Sequence, residues 1–264
     1  MLGFHRILSK RIGGSPFSTR ILDTVHPSQL CTMTDSLIQV DSNDCVLGPI
    51  PKLDSHLAGT IKDGTIHRAF SVFLFSEDSS KLLIQKRCQT KIVFPREWAN
   101  TCCSHPLFDD SEMENNDGNQ IGIKRAAIKR LKTELGLSGI DPLSLSFREK
   151  ILYRDISPGG MFGESECDYI LLGRINQETV TLSPNPDEVE NVEWISPGSP
   201  GSRTKILKEY LEAQRKLGFP PTPWFDLMVR EEKCLESWWE RLITDGESFL
   251  SEPPNKEIRS FLSV

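Results

Sequence analysis

At 264 residues, with 38% hydrophobic and 26% charged side chains, the chain is long and apolar enough for one large globular unit, which excludes both a small stapled domain and a broadly disordered polymer. Thirty-one basic against 37 acidic residues leave a net charge of −6, so there is no global basic field for a nucleic-acid backbone. Uncharged apolar runs such as residues 70–75 fall far short of the roughly 18 residues that a membrane-spanning helix needs, so neither nucleic acid nor a membrane span is expected.

Residues 1–22 carry Arg6, Lys10, Arg11 and Arg20 without an acid, and the first carboxylate is Asp23. Leu2, Phe4, Ile7, Leu8 and Ile12 are interleaved among them. This is the composition of a mitochondrial or plastid transit peptide, or of a disordered tail, and the residues leave both open. Gly13, Gly14 and Pro16 would end a helix early, and Met33 offers an internal start. Residues 1–36 are therefore read as an extension and 37–264 as the folded unit, with a cytoplasmic or organellar address. Residues 37–40, followed by the polar 41–44, read as a strand entering a turn. Residues 67–75 and 81–87 read as two strands joined by the polar 76–80. Ile123, Ala126, Ala127, Leu131 and Leu135 recur at helical steps and Gly136 follows, which predicts a helix over 122–135. Strands are expected at 146–154, 167–175 and 188–195. Helices are expected at 205–217 and, on the stripe Phe225, Met228, Leu235, Trp238, Trp239 and Leu242, at 224–243. The expected class is mixed α/β, a single domain with helices covering a sheet.

Seven cysteines, with Cys102 and Cys103 adjacent and no zinc-like CxxC repeat, suit a reducing compartment better than a disulfide framework. In an extended segment neighbouring side chains face opposite ways, so one of these two thiols is expected to be buried and the other presented to a cleft. Three of the five histidines, His56, His67 and His105, fall in the folded unit. With Glu164 and Glu166, two apart and so on one side of a strand, they are a sufficient ligand set for a divalent metal. A Glu-x-Glu pair alone is more often a solvated strand face. Here Gly159, Gly160 and Gly163 precede it and the apolar 169–172 follows, which puts the carboxylates at the mouth of a buried strand.

The helix ends Lys129-Arg130-Leu131-Lys132-Thr133-Glu134-Leu135-Gly136-Leu137, which resembles a degenerate Nudix box with Arg130 and Thr133 standing where glutamates are expected and only Glu134 kept. Such losses would cripple a hydrolase that needs a full acidic array for magnesium. HRAFSVFLF at 67–75, NTCCSHPL at 100–107, GESECDYILL at 163–172 and TPWF at 222–225 occur in order. Together they resemble type I isopentenyl-diphosphate isomerases over roughly residues 37–245. The resemblance implies a Nudix-like mixed sheet covered by helices and a metal-dependent shift of a double bond between isopentenyl and dimethylallyl diphosphate, with no redox cofactor. It implies a tightly held divalent ion, Zn2+, Mn2+ or Mg2+, on His56, His67, His105, Glu164 and Glu166. A second ion, Mg2+, would join Glu134 to the diphosphate. It further implies that Cys103 and Glu166 are the catalytic pair, that Lys52, Arg87 and Lys91 hold the diphosphate, and that Ser104 touches substrate. Tyr153 and Trp224 would flank the hydrocarbon. A monomer or weak dimer acting on a small-molecule diphosphate is the matching partner reading. The chemistry agrees: arginine and lysine suit a diphosphate, and an indole face stabilises a carbocation without trapping it. Ser165 and Phe162 depart from the His and Trp common among relatives, which touches the pocket's shape and the metal preference and removes none of these groups. The rival readings are a Nudix pyrophosphohydrolase and a catalytically inactive Nudix-like scaffold.

Overall fold

Alternating apolar side chains on two long strands divide the protein into two cores. The computed structural model describes residues 26–115 and 118–262, so the acid-free start lies outside the described residues. The chain enters through α1 (Pro27–Leu30) and a tight helical turn, Cys31–Thr34, and then forms the antiparallel pair β1 (Ser36–Val40) and β2 (Val46–Pro51). Two short helices, α2 (Lys52–His56) and α3 (Ala58–Lys62), lead into β3 (Ile66–Ser76). After β4 (Leu82–Arg87), β5 (Trp98–Ala99) and β6 (Cys102–Ser104) come α4 (Asp110–Met113) and the long helix α5 (Ile121–Leu135). Strands β7 (Ser146–Ile156), β8 (Gly163–Ile175) and β9 (Val189–Ile195) precede α6 (Lys205–Lys216), α7 (Pro223–Arg230), α8 (Ser237–Thr244) and α9 (Glu247–Leu250), and β10 (Ile258–Ser260) closes the sheet.

The sheet runs β10-β7-β8-β3-β1-β2, with β3 parallel to β8 and β7 antiparallel to β8. The other edge of β3 is shared by three partners in turn: β1 at its start, β6 at its middle and β4 at its end. That division lets a single strand carry residues from three parts of the chain to one place. On one face Phe70, Val72 and Leu74 pack with Ile123, Ala127 and Leu131 of α5. On the other, Phe73 and Phe75 meet Trp238 and Trp239, with ring centroids 5.7 and 5.5 Å apart. The helix α5 stops at Gly136, which has φ 71°; a Cβ there would come within 2.8 Å of Ser183.

Two expectations need correction. The helix expected over 224–243 is broken, because the backbone of Cys234 is not helical (φ −102°, ψ −119°) and its sulfur lies 2.9 Å from Nη2 of Arg259. This tertiary contact, with Cys234 and Leu235 both buried, overrides a continuous apolar stripe. Described structure also begins upstream of residue 37: Leu30 and Met33 are buried in the core, and Gln29 donates to the Asp187 carbonyl at 3.0 Å. A four-residue helix is too short for periodicity to reveal.

Candidate active site

The site is assembled by strand register. In the parallel pair β3 and β8, His67 stands beside Glu166, and in the antiparallel pair β7 and β8 Tyr153 stands on its other side. Strand alternation puts Glu164 on the same face as Glu166. Pairing of Ser71 with Cys103 fixes β6 against the middle of β3, so His105, just past the end of β6, swings over the same spot. His56, the last residue of α2, completes the group.

The three imidazole centroids lie 4.8 to 5.0 Å apart. One candidate ligand atom from each of His56, His67, His105 and Glu164 falls within 4.8 Å of the others. Glu166 joins this group through Oε1, 2.8 Å from His105 Nε2 and 3.6 Å from His67 Nε2, while its Oε2 accepts from the Tyr153 hydroxyl. Both ring nitrogens of His67, Nδ1 of His105 and Oε2 of Glu164 are buried without a hydrogen-bond partner. Nδ1 of His56 lies 2.6 Å from the Lys52 carbonyl, which directs its Nε2 lone pair inward toward Glu164 at 3.1 Å. Buried imidazole and carboxylate atoms without hydrogen bonds are costly, and one nitrogen from each histidine with a carboxylate oxygen converges here, so the donor set fits a divalent metal. Burial holds His56 down at about 4, against the pull of Glu164, which leaves a neutral imidazole suited to ligation.

A cluster of cations shares the same cavity. Lys52, Arg87 and Lys91 line it, and so does Arg130. The Arg87 fork is fixed by the carbonyls of Phe94 (3.1 Å) and Val93 (2.9 Å), and its Nη1 lies 3.7 Å from Cys103 Sγ. Burial pushes Lys52 down to about 8, with Arg130 and Lys91 adding to the shift. Glu188 pairs with both Lys91 and Arg130, and although burial would raise its pKa the two cations hold it at about 2. Cys103, Ser104, Tyr153 and Trp224 complete the wall. Burial raises the Cys103 thiol to about 12 despite Arg87, so it carries its proton. Trp224 is buried, 5.9 Å from the Tyr153 ring and 5.6 Å from that of Phe94.

Lys52, His56, Arg87, Lys91, Cys103, Ser104, His105, Tyr153, Glu164, Glu166 and Trp224 thus line one cavity. His67 sits fully buried behind it. Glu134 stands apart from the histidines, bonded to Arg130 at 2.6 Å and to Gln85 at 3.1 Å. Cys102 is buried in the opposite core. Sequence reasoning missed Arg130, read only as a lost glutamate; its i,i+4 spacing to Glu134 on a helix was the available signal. It also missed Glu188, and it assigned Gln29 and Met33, which line the cavity, to the extension.

The NUDIX domain model matches residues 65–216. The chain is 40% identical over 216 residues to Isopentenyl-diphosphate Delta-isomerase 1 of Mesocricetus auratus, covering 81% of this chain and 88% of the relative. It is 38% identical over 223 residues to Isopentenyl-diphosphate delta-isomerase 2 of Homo sapiens (84% and 91%) and 40% identical over 216 residues to Isopentenyl-diphosphate Delta-isomerase I of Clarkia breweri (79% and 69%). Matched over more than half its length by the NUDIX model and over most of it by these relatives, the chain belongs to the NUDIX-fold family of isopentenyl-diphosphate Delta-isomerases.

Proposed function

We propose that this cavity interconverts isopentenyl diphosphate and dimethylallyl diphosphate. The observation that carries the reading is the meeting, in one cavity, of a thiol, a carboxylate, four cations and an indole. Lys52, Arg87, Lys91 and Arg130 take the diphosphate, the arginines as planar forks and the lysines as point charges. This directs the short hydrocarbon toward Cys103, Glu166 and Trp224. One member of the Cys103 and Glu166 pair adds a proton to the terminal alkene carbon and the other removes one from the carbon next to the oxygen-bearing one, so the double bond moves and no electrons leave the substrate. The indole face of Trp224 stabilises the tertiary cation between these steps. Tyr153 holds Glu166 by a hydrogen bond to Oε2.

His56, His67, His105, Glu164 and Glu166 would hold Zn2+ or Mn2+, or failing these Mg2+, and Glu134 is the carboxylate through which Mg2+ would join the diphosphate. The bound ions supply positive charge that settles the carboxylates and screens the diphosphate. A monomer or weak dimer acting on the small-molecule diphosphate is the assembly in this reading. Among the described residues no helix is long and apolar enough to cross a membrane. The acid-free segment 1–22 serves in this reading as an organellar address.

A pyrophosphohydrolase is disfavoured because α5 offers Lys129, Arg130 and Thr133 around the single Glu134. An inactive scaffold is disfavoured because every catalytic position carries a competent group. Incubation with isopentenyl diphosphate and Mg2+, followed by chromatography, should yield the allylic isomer. No isomer, with phosphate released from a nucleotide panel, would overturn the reading.

A further inference from the structure

Asn100 takes no part in the chemistry above, yet its side chain is fully buried and makes three hydrogen bonds. Its amide nitrogen donates to the Val72 carbonyl at 3.0 Å and to the Cys102 carbonyl at 2.9 Å, and its Oδ1 accepts from the indole N–H of Trp224 at 3.0 Å. The orientation is settled by its partners. Turning the amide over would aim an NH2 group at an indole N–H and an oxygen at two carbonyls, losing all three bonds. Val72 and Cys102 are directly paired residues of β3 and β6. One side chain therefore ties the strand pair that carries Cys103 to the edge of the indole on α7. The ring also meets Tyr153, Phe94 and, 5.5 Å from its centroid, the Arg87 guanidinium, and none of these three contacts bonds the N–H edge or defines its direction. Asn100 supplies that direction.

We infer that Asn100 is a positioning residue for the isomerisation: it locks the Trp224 indole in register with the Cys103 strand, so that the ring face stays at a fixed distance and angle from the carbon skeleton between Cys103 and Glu166. This rests on the reading of the cavity as an isomerase site. Cation–π stabilisation depends on the cation lying over the ring face, and small displacements of a positioned group slow a reaction steeply. Because the cation cluster holds the diphosphate, loss of this lock should act on turnover and leave binding alone.

The test uses the full chain with Asn100→Ser, with Trp224 replaced site-specifically by 3-benzothienylalanine, in which sulfur takes the place of the indole N–H, and with both changes together. Each single change should lower kcat for isopentenyl diphosphate by about tenfold to a hundredfold with KM within about twofold of wild type, and the double change should fall no lower than the tryptophan analogue alone. A folded Asn100→Ser with wild-type kcat, or effects that add in full, would overturn the proposal, since a purely structural asparagine has no reason to act through the indole. If Asn100→Ser does not fold, the analogue decides: wild-type kcat without the N–H overturns the lock. Absence of isomer from the wild type would bring down the functional reading and this proposal with it, whereas active wild type with an unaffected Asn100→Ser overturns the positioning role alone.

Discussion

Two polar clusters sit back to back on the same strands, and what separates them is whether their hydrogen bonds are complete. On one face Asp44 accepts Arg68 Nε at 2.8 Å, Lys150 Nζ at 2.7 Å and the Tyr169 hydroxyl. On the other, beginning one residue earlier in β3, stand His67, His56, His105 and Glu164. The Asp44 cluster is closed: its charges have partners, and among the described residues no buried side-chain nitrogen or oxygen of it lacks a hydrogen bond. The histidine cluster leaves four atoms unpartnered. Both bring charged groups out of water, so buried charge alone does not mark function; incompleteness does. A saturated network fixes the fold, and an unsaturated one at a cavity waits for a ligand.

The largest expected effect lies at the cavity. Cys103→Ala and Glu166→Gln should each lower kcat by at least about a thousandfold, the scale of losing an essential proton-transfer group, while Cys102→Ala, on the opposite face, changes it little. Metal content must be measured alongside, because Glu166 sits against the histidines. Equal losses for Cys102 and Cys103 would erase the distinction between the faces. Next, Asp44→Asn should cost about 3 kcal/mol of stability in chemical denaturation, since it leaves Arg68 and Lys150 without their carboxylate, and should leave the copurifying metal in place. His67→Ala and His105→Ala should do the reverse on metal analysis, lowering occupancy, whereas Glu134→Gln keeps that ion and weakens Mg2+-dependent substrate binding. Loss of the copurifying ion from all three variants would merge two sites into one.

Smaller effects sharpen the cavity's edge. Arg130→Gln should raise KM about tenfold with a lesser change in kcat, as expected for a forked diphosphate contact. Deleting residues 1–25 should leave turnover within about twofold, whereas deletion through Thr34 should raise KM, because Gln29 and Met33 line the cavity. Steady-state kinetics on both truncations would show where the extension ends, and equal kinetics would return the boundary to residue 37.

The long strands around the site and α5 were legible because each carries its own pattern, whereas β6 is too short to show one; strand alternation set Cys102 and Cys103 on opposite faces, and the choice of Cys103 came from the resemblance. Glu164 and Glu166 could be paired for the same local reason. Arg130 and Glu188 were not legible, since their meeting depends on α5 and the turn before β9 being brought together by the fold, which no local pattern encodes. The break at Cys234 escaped for a similar cause: the apolar stripe continues through it, and the Arg259 contact that accompanies the bend comes from the end of the chain. Asn100 lay in plain sight within NTCCSHPL, but its three partners come from β3, β6 and α7.

Isomer formation in deuterated water, followed by NMR on wild type and on metal-loaded Cys103→Ala, tests the central claim most directly. The wild type should yield dimethylallyl diphosphate carrying deuterium at the protonated carbon, and folded Cys103→Ala with full metal occupancy should show neither turnover nor label at a comparable rate. Near wild-type turnover and deuterium incorporation in that variant would contradict the assignment of the cavity's chemistry to Cys103.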